Sequence, residues 1–343
     1  MKFSIRTAAV LGAFTLALGA CTTGAPETSP TGAADPTEST SEATGGESTP
    51  AEGGGGTIAF VQGVQGDEFY ITMECGILSE AEKLGYTVET QGPTKFDPTL
   101  QQPIIDSVVA SSPDALLVAP TDVTAMQRPL ERAAESGIKV VLVDTTVEDP
   151  SFAVTGIASD NIGGGAAAFD AIKELKPEGG KVLVISTDPG VSTLDARVKG
   201  FEEAVAEDSA FEYVGVQYSH NDPATAANLV SAALQKDPDI VGIFAANLFA
   251  AEGSATGIRQ AGATDVAVIG FDAGPNQVEA LKAGTVQALV AQQPFEIGVM
   301  GVQAADKALK GEEKQEDIQT DFTIITMDNL EGEGGEAVYK SSC

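Results

Sequence analysis

The sequence predicts an α/β protein with two doubly wound parallel-sheet lobes. From residue 57 onward, runs of apolar residues alternate with segments whose apolar residues have helical spacing. The apolar runs are nearly continuous, which is typical of parallel strands covered by helices on both faces. The alternation pauses near residues 156–160 and restarts after Ser159-Asp160-Asn161. A TIM barrel also needs repeated βα units, but two similar halves on either side of this pause favour two lobes.

The elements of the first half follow one another without long gaps. Apolar runs predict strands at 57–61, 86–90, 115–118 and 139–143, and helical spacing predicts helices at 69–84, 100–109 and 125–136. Gly85 and Gly137 follow two of these helices directly, and glycine is common just past a helix end. A shorter apolar piece, 152–155, ends this half.

The second half repeats the pattern. Strands are predicted at 181–185, 211–216, 240–244, 265–270 and near 285–290, with a last strand-like run at 322–326. Helices are predicted at 162–175, 192–206, 223–235, 248–261, around 276–283 and at 294–309. Pro275 has the fixed φ that suits a first helical turn.

Polar and aromatic residues follow four of the predicted strands. Asp144 and Asp272 come directly after two apolar runs, and the other two strands lead to Asn247 and to a loop with Asp67, Phe69 and Tyr70. In open α/β sheets, ligands bind outside the carboxyl ends of the strands. We therefore expect these residues to line one small-molecule cleft.

The composition narrows the class of partner. The chain has 50 acidic and 19 basic residues, a formal net charge of −31, which argues against a nucleic-acid groove because such a groove needs a basic stripe. It also argues against phosphate-rich ligands. His220 is the only histidine and has no second His or Cys at ligand spacing, so we expect a loop residue and no metal site.

The first residues are typical of an export signal. Lys2 and Arg6 precede an apolar run, 8–20, that is too short to span a bilayer. Leu18-Gly-Ala-Cys21 resembles the bacterial lipobox, which predicts a signal peptide at 1–20 and a lipid-modified Cys21. The alternative is an ordinary secretion signal with an incidental cysteine. Residues 21–56 are mostly Thr, Ser, Pro, Gly, Glu and Ala, a composition that predicts a disordered tether.

Two cysteines remain, Cys75 in the first predicted helix and Cys343 at the last position. An even pair in an exported chain suggests a disulfide. Such a bond would tie the end of the chain to the first lobe. Two independent thiols are the alternative.

Nine short segments occur in a fixed order across residues 57–320. They are Ile58-Ala-Phe-Val61 with Phe69-Tyr70, Glu80 to Gly85, Asp114 to Asp122, Val143-Asp144, Ser159-Asp160-Asn161, Arg197 to Phe201, Asn247, Gly270-Phe-Asp272, and Ala291 to Pro294. Together they resemble the ribose-binding-like (type I) periplasmic solute receptors of ABC sugar importers. The resemblance implies three hinge crossings, a first lobe of 57–158 plus 293–320, a second lobe of 159–292, and a C-terminal strand and tail of 321–343.

The resemblance also implies a function. Such a receptor binds a sugar or similar polar molecule between its lobes and delivers it to a membrane permease that a separate ATPase powers. It needs no cofactor and performs no catalysis. Together with the predicted signal peptide and tether, the resemblance implies a monomer that a lipid holds on the outer face of the cell membrane. The same fold also accommodates a furanosyl autoinducer, a polyol or a nucleoside as alternative ligands.

Sugar hydroxyls both donate and accept, so carboxylates and a guanidinium suit them, while aromatic rings cover the apolar C–H face of a sugar. The resemblance assigns ligand contacts to ten residues: Asp67, Phe69, Tyr70, Asp144, Thr145, Arg197, Asn221, Asn247, Asp272 and Gln292. Most of them also have a purely structural alternative. The carboxylates and Asn247 could cap helices, the aromatics could pack inside the first helix, Arg197 could form a surface ion pair, and Gln292 could bond hinge backbone.

Several positions depart from the ribose receptors. Thr145 stands where they have Arg, Ala119 where they have Asn, and Asn221 where they have an aromatic residue. Gly63 and Asp67 stand where they have Ser and Asn. A polar ligand is still expected, but the groups that would contact it differ from those for ribose.

Two other functions fit the sequence less well. An α/β enzyme would show a Gly-x-Gly-x-x-Gly after the first strand, a Gly-x-Ser-x-Gly elbow, or a nucleophile partner for the single His, and the sequence has none of these. A sugar-responsive repressor core shares the predicted fold but would need a helix-turn-helix segment where this chain has its signal and tether.

Overall fold

A computed structural model describes residues 55–312 and 314–343. The predicted signal peptide, Cys21 and nearly all of the predicted tether lie outside the described residues. No helix in the described part of the chain combines the length and apolar composition that a membrane crossing needs.

The first part of the chain alternates strand and helix. Strands β1 to β5 span Thr57–Val61, Thr87–Gln91, Ala115–Val118, Lys139–Val143 and Gly156–Ser159. Helices α1 to α3 span Glu68–Leu84, Pro98–Ser111 and Gln127–Glu135. A 3₁₀ turn, Pro150–Phe152, precedes β5.

The remainder continues the alternation. Strands β6 to β10 span Gly180–Ser186, Phe211–Tyr218, Ile240–Ala245, Ala267–Phe271 and Ala288–Ala291. Helices α4 to α9 span Asn161–Leu175, Ser192–Ala206, Pro223–Lys236, Leu248–Ala261, Pro275–Lys282 and Pro294–Leu309. Two short strands, β11 (Ile318–Thr320) and β12 (Thr323–Ile325), and helix α10 (Glu333–Glu336) complete the described chain.

These strands form two sheets of six. The first has the order β11-β5-β4-β3-β1-β2 and the second has the order β12-β10-β9-β8-β6-β7. All pairings are parallel except that of β12 with β10. The chain passes from the first sheet to the second after β5, returns after β10, and crosses again between β11 and β12. It therefore crosses between the lobes three times.

Two local features were not predicted. Next to the apolar piece at 152–155, the Asp149 side chain caps a 3₁₀ turn by accepting from Ser151 N, and strand β5 begins only at Gly156. Strand β11 has only three residues, Ile-Gln-Thr, and two of its positions are exposed.

Helix starts follow ordinary capping chemistry. An Asp or Asn side chain accepts from a backbone N–H in the first turn of five α-helices, and the capping residues are Asp67, Asp97, Asp160, Asp222 and Asn247. Two of these five residues, Asp67 and Asn247, also line the interlobe cavity, so the local signal that starts a helix also fixes a polar side chain near a strand end.

Glycines let two helices of the second lobe approach backbone to backbone. A Cβ on Gly165 of α4 would overlap the carbonyl oxygen of Arg197 in α5, and one on Gly200 of α5 would overlap that of Ile162 in α4. This close packing holds Arg197 beside Asn161, the first residue of α4.

The C-terminal strap, defined as residues 326–343, reaches both lobes. Tyr339 N donates to Ala273 O after β9, at 2.9 Å. Lys340 N donates to Thr72 Oγ1 of α1 at 2.7 Å. Cys343 is joined by a disulfide to Cys75, also in α1. The end of the chain is thus covalently attached to the first lobe.

Candidate ligand-binding site

One cavity lies between the lobes. The structure brings nine of the ten predicted residues to its wall, namely Asp67, Phe69, Tyr70, Asp144, Arg197, Asn221, Asn247, Asp272 and Gln292. Residues after strands of both sheets therefore meet in one place.

Asp144 and Asp272 occupy equivalent positions in the two lobes. Each directly follows the fourth strand of its lobe, and each donates its backbone N–H to a carbonyl of the neighbouring strand, Ile157 O and Val290 O, at 2.8 Å. Both have left-handed backbone, with φ of 65° and 76°. That conformation is uncommon outside glycine but tolerated by Asp. The sharp turn directs both carboxylates off the ends of the sheets.

Asp144 is 6% exposed and accepts a hydrogen bond from Tyr70 Oη at 2.8 Å. Burial raises the pKa of Asp144 to about 6, while the nearby Arg197 and the Tyr70 hydroxyl oppose that rise. Burial, and then the charge of Asp144, raise the pKa of Tyr70 well above its usual range, so Tyr70 remains a donor. A ligand hydroxyl that donated to Asp144 would favour its ionised form.

Asp272 is held by three donors. Its Oδ1 accepts from Gln292 Nε2 at 2.6 Å and from Tyr339 Oη at 3.1 Å, and its Oδ2 accepts from Leu248 N at 2.9 Å. Asp272 therefore does not cap the helix that follows it, α8. Instead it accepts from the first residue of α7, and its orientation is fixed from three sides.

Arg197 is buried, with 2% of its surface exposed. Its Nε donates to Asn161 Oδ1 at 2.8 Å and its Nη1 donates to Ala246 O at 2.9 Å. The guanidinium carbon lies 3.7 Å from the centroid of the Phe271 ring, a cation–π contact. These contacts rule out the surface ion-pair alternative. They use only some of the N–H donors, so the guanidinium retains donors for a ligand.

Phe69 and Tyr70 stand at the start of α1, with ring centroids 5.1 Å apart in an edge-to-face arrangement. Asp67 caps this helix by accepting from Phe69 N at 2.9 Å. Burial, followed by the charge of Asp272, raises the pKa of Asp67 well above its usual value. Asp67 therefore serves as a helix cap and as part of the cavity wall.

The amide side chains also have two roles. Asn247 caps α7 by accepting from Ala250 N, and its Nδ2 donates to Asn221 Oδ1 at 2.6 Å. Gln292 Oε1 accepts from Ser159 Oγ of β5 at 2.8 Å, while its Nε2 reaches Asp272. Gln292 thus connects the two lobes at a hinge crossing.

Thr145 is the exception among the predicted residues. The left-handed turn at Asp144 directs the next side chain away from the cavity, and Thr145 Oγ1 donates to Pro120 O at 2.7 Å. Thr145 lines a separate, more open groove beside the hinge. The structure therefore places Thr145 outside the wall that the other nine predicted residues form, in a groove that shares Asp144 with the cavity.

Sequence reasoning missed four residues of the cavity wall: Phe96, Thr187, Thr193 and Leu194. Thr187 directly follows β6, so the strand-end rule that found Asp144 could have found it. Its Oγ1 is buried and has no hydrogen-bond partner among the described residues. Phe96 lies in the loop before α2, where no pattern marks it.

The described residues contain no cluster of His, Cys, Asp or Glu that could hold a metal ion. His220 is exposed on a loop and its ring nitrogen contacts the Asp188 carboxylate. The site is thus made of carboxylates, amides, one guanidinium and aromatic rings.

Comparison with known proteins decides the family. Residues 58–313 match the family model described as a periplasmic binding protein domain, which is most of the chain. The chain belongs to the periplasmic binding protein family. Two ribose import binding proteins RbsB are similar to it. That of Salmonella typhimurium is 32% identical, with 78% of this chain and 90% of that protein covered, and that of Bacillus subtilis is 31% identical, with 79% and 87% covered.

Solved structures of periplasmic binding proteins are similar as well. An ABC transporter solute-binding protein from Agrobacterium vitis, bound with α-D-tagatopyranose, is 37% identical with a TM-score of 0.81, covering 83% of this chain and 99% of that one. Another from the same organism, with bound D-fucose, is 30% identical with a TM-score of 0.79, covering 83% and 100%. The predicted resemblance and the predicted fold class are confirmed.

Proposed function

We propose that this protein is an extracytoplasmic receptor that binds a sugar in the interlobe cavity and delivers it to an ABC permease. One observation carries the proposal: Asp144 and Asp272, from opposite lobes, share one cavity with Arg197 and three aromatic rings. The names of the relatives and the sugars bound in the similar solved structures support the same ligand class.

The chemistry of the cavity fits hydroxyl-rich molecules. Ionised carboxylates accept from sugar hydroxyls, the guanidinium of Arg197 donates to hydroxyl or ring oxygens, and amide groups do both. The ring of Phe69 offers an apolar face for the C–H side of a sugar. A ligand that contacts both lobes at once binds better to the closed arrangement than to an open one, and this difference in affinity drives closure.

The proposal also includes attachment of the receptor to the membrane and the absence of catalysis. Cys21 would carry a lipid that holds the receptor on the outer face of the membrane, and the receptor would act as a monomer. Replacement of Cys21 by serine should release the protein from cells into the medium. Sugar recovered from the complex should be chemically unchanged when it is examined by NMR.

A ligand screen tests the proposal. The purified protein is heated with D-tagatose, D-fucose, D-arabinose, D-allose or D-ribose, and with polyols and nucleosides as competing classes. A true ligand at about a hundred times its Kd should raise the free energy of unfolding by about 2.7 kcal/mol. Calorimetry then compares Asp272→Asn, which should bind weakly, with Asp239→Asn, a change at an exposed position outside the cavity. Equal affinities for the two variants would overturn the site assignment.

A further inference from the structure

Tyr339 lies behind the cavity wall rather than in it. It belongs to the C-terminal strap, is 4% exposed, and donates its backbone N–H to Ala273, the residue that follows Asp272. The tyrosine is 67 residues from Asp272 in sequence, and no strand-end or helix-cap pattern connects the two. Its contacts nevertheless converge on the binding site.

The Tyr339 hydroxyl makes two hydrogen bonds. It accepts from the backbone N–H of Gln292 at 2.9 Å and donates to Asp272 Oδ1 at 3.1 Å. The same oxygen of Asp272 accepts from the Gln292 side chain. Tyr339 and Gln292 together thus fix the plane of the Asp272 carboxylate. Burial and the charge of Asp272 raise the pKa of Tyr339 well above its usual range, so its hydroxyl keeps the proton that it donates.

The strap is anchored next to the other wall of the cavity. Lys340 bonds to Thr72, and Cys343 is joined to Cys75, both in the helix that carries Phe69 and Tyr70 at its start. The Tyr339 ring also lies 6.0 Å from the Phe69 ring, centroid to centroid. The few residues from 339 to 343 therefore connect Asp272 in the second lobe with α1 in the first.

We propose that Tyr339 is a positioning residue of the sugar site: it orients Asp272, and the Cys75–Cys343 disulfide holds it there. The inference rests on the proposed function, because the orientation of Asp272 matters only if Asp272 accepts from a ligand. If the inference holds, the affinity for the ligand depends on the C-terminal strap and on the disulfide that anchors it.

A double-mutant cycle tests the positioning role in the full chain. The probe is whichever of D-tagatose, D-fucose, D-arabinose, D-allose and D-ribose the wild type binds most tightly. Tyr339→Phe should raise Kd roughly tenfold, because a hydrogen bond to a charged group is lost. Tyr218→Phe, at an exposed position, is the matched control and should leave Kd unchanged.

The cycle also needs the Kd of Asp272→Asn alone and the Kd of the double variant, in which Asp272→Asn is combined with Tyr339→Phe. If Tyr339 acts through Asp272, the double variant should bind no more than about twofold worse than Asp272→Asn alone. Additive losses, or equal Kd for Tyr339→Phe and Tyr218→Phe, would overturn the role. A tyrosine that only supported the fold would lower the melting temperature without this non-additivity.

Reduction of the disulfide is a second test that needs no substitution at Tyr339. Complete reduction, verified by mass, should move the wild-type Kd toward the value for Tyr339→Phe and should leave the Kd of Tyr339→Phe itself unchanged. A wild-type Kd that stays the same after reduction would show that the anchor does not hold Tyr339 in place.

Hydrogen exchange separates this inference from the proposed function. The backbone N–H of Gln292 uses the Tyr339 hydroxyl as its acceptor, so its exchange in ligand-free protein should accelerate in Tyr339→Phe and not in Tyr218→Phe. If the wild type binds none of the sugars and exchange still accelerates, the proposed function fails and the contact stands. If exchange is unchanged, the inference fails whatever the protein binds.

Discussion

Replacement of Asp144 by asparagine should make the empty protein more stable at neutral pH and a poorer receptor. The substitution removes the charge and keeps the shape, and the new amide oxygen can still accept from Tyr70 Oη, which lies 2.8 Å from the carboxylate in the wild type. What changes is the burial of a negative charge between the lobes.

The magnitude follows from the shift in pKa. Burial, opposed by Arg197 and Tyr70, raises the pKa of Asp144 from 3.8 to about 6. Each pKa unit corresponds to about 1.36 kcal/mol, so the ionised folded protein is less stable by about 3 kcal/mol. The folded protein holds this proton to higher pH than the unfolded chain does. Binding of this proton therefore contributes its full stabilisation of the folded protein below pH 3.8. That stabilisation is lost as the pH rises through about 6.

The assay is urea denaturation of wild type and Asp144→Asn at intervals between pH 4 and pH 7. The difference in free energy of unfolding should grow in favour of the variant by about 1.4 kcal/mol per pH unit between pH 4 and about pH 6 and should level off above pH 6. Asp67 remains in both proteins, so its titration is largely shared. Parallel curves for the two proteins would refute the reasoning, since they would mean that Asp144 carries no buried charge.

Binding should change in the opposite direction. Asparagine offers one neutral acceptor oxygen where the ionised carboxylate offers two charged ones, so Asp144→Asn should bind sugar less tightly at pH 7. Wild-type affinity should itself fall as the pH drops below about 6, where Asp144 gains its proton. Calorimetry across the same pH range measures both effects.

Three further predictions concern other parts of the structure. Arg197→Lys should weaken sugar binding by about 2 kcal/mol, roughly thirtyfold by calorimetry, because an ammonium cannot reproduce the planar fork. Thr187→Val should weaken binding by about 1 kcal/mol without lowering the free energy of unfolding, because the hydroxyl that is removed has no partner within the described residues. Replacement of both Cys75 and Cys343 by serine should lower the free energy of unfolding in urea by about 2–5 kcal/mol. An unchanged unfolding midpoint would contradict that last expectation.

Much of the site could be predicted because it follows from strand topology. The carboxyl ends of parallel strands meet at one edge of each sheet, so a polar residue just after an apolar run is directed to a common place. Asp144, Asp272 and Asn247 satisfy that rule, and Arg197 was found through the family motif around it. The structural alternatives did not compete with these roles, since Asn247 caps a helix and lines the cavity at once.

The positions of the remaining residues could not be predicted from a local sequence pattern. The left-handed backbone at Asp144, which turns Thr145 away, depends on the tertiary hydrogen bond to Ile157 O. Phe96 reaches the cavity from the loop before α2, where no sequence pattern indicates a site. Tyr339 comes from a tail that has no periodic apolar pattern. Only the even number of remaining cysteines indicated that this tail returns to the first lobe.

The negative charge that destabilises the ligand-free site also makes closure of the lobes depend on a ligand. Asp67, Asp144 and Asp272 share one cavity with a single guanidinium, and burial raises the pKa of both Asp67 and Asp144. Closing the lobes without ligand therefore buries the carboxylates of Asp67 and Asp144, each of which is held by one donor, Phe69 N and Tyr70 Oη respectively. A sugar brings hydroxyl donors into that space, so its binding energy is larger in the closed arrangement than in the open one. An apolar or neutral lining would make closure easier and would also make it independent of the ligand.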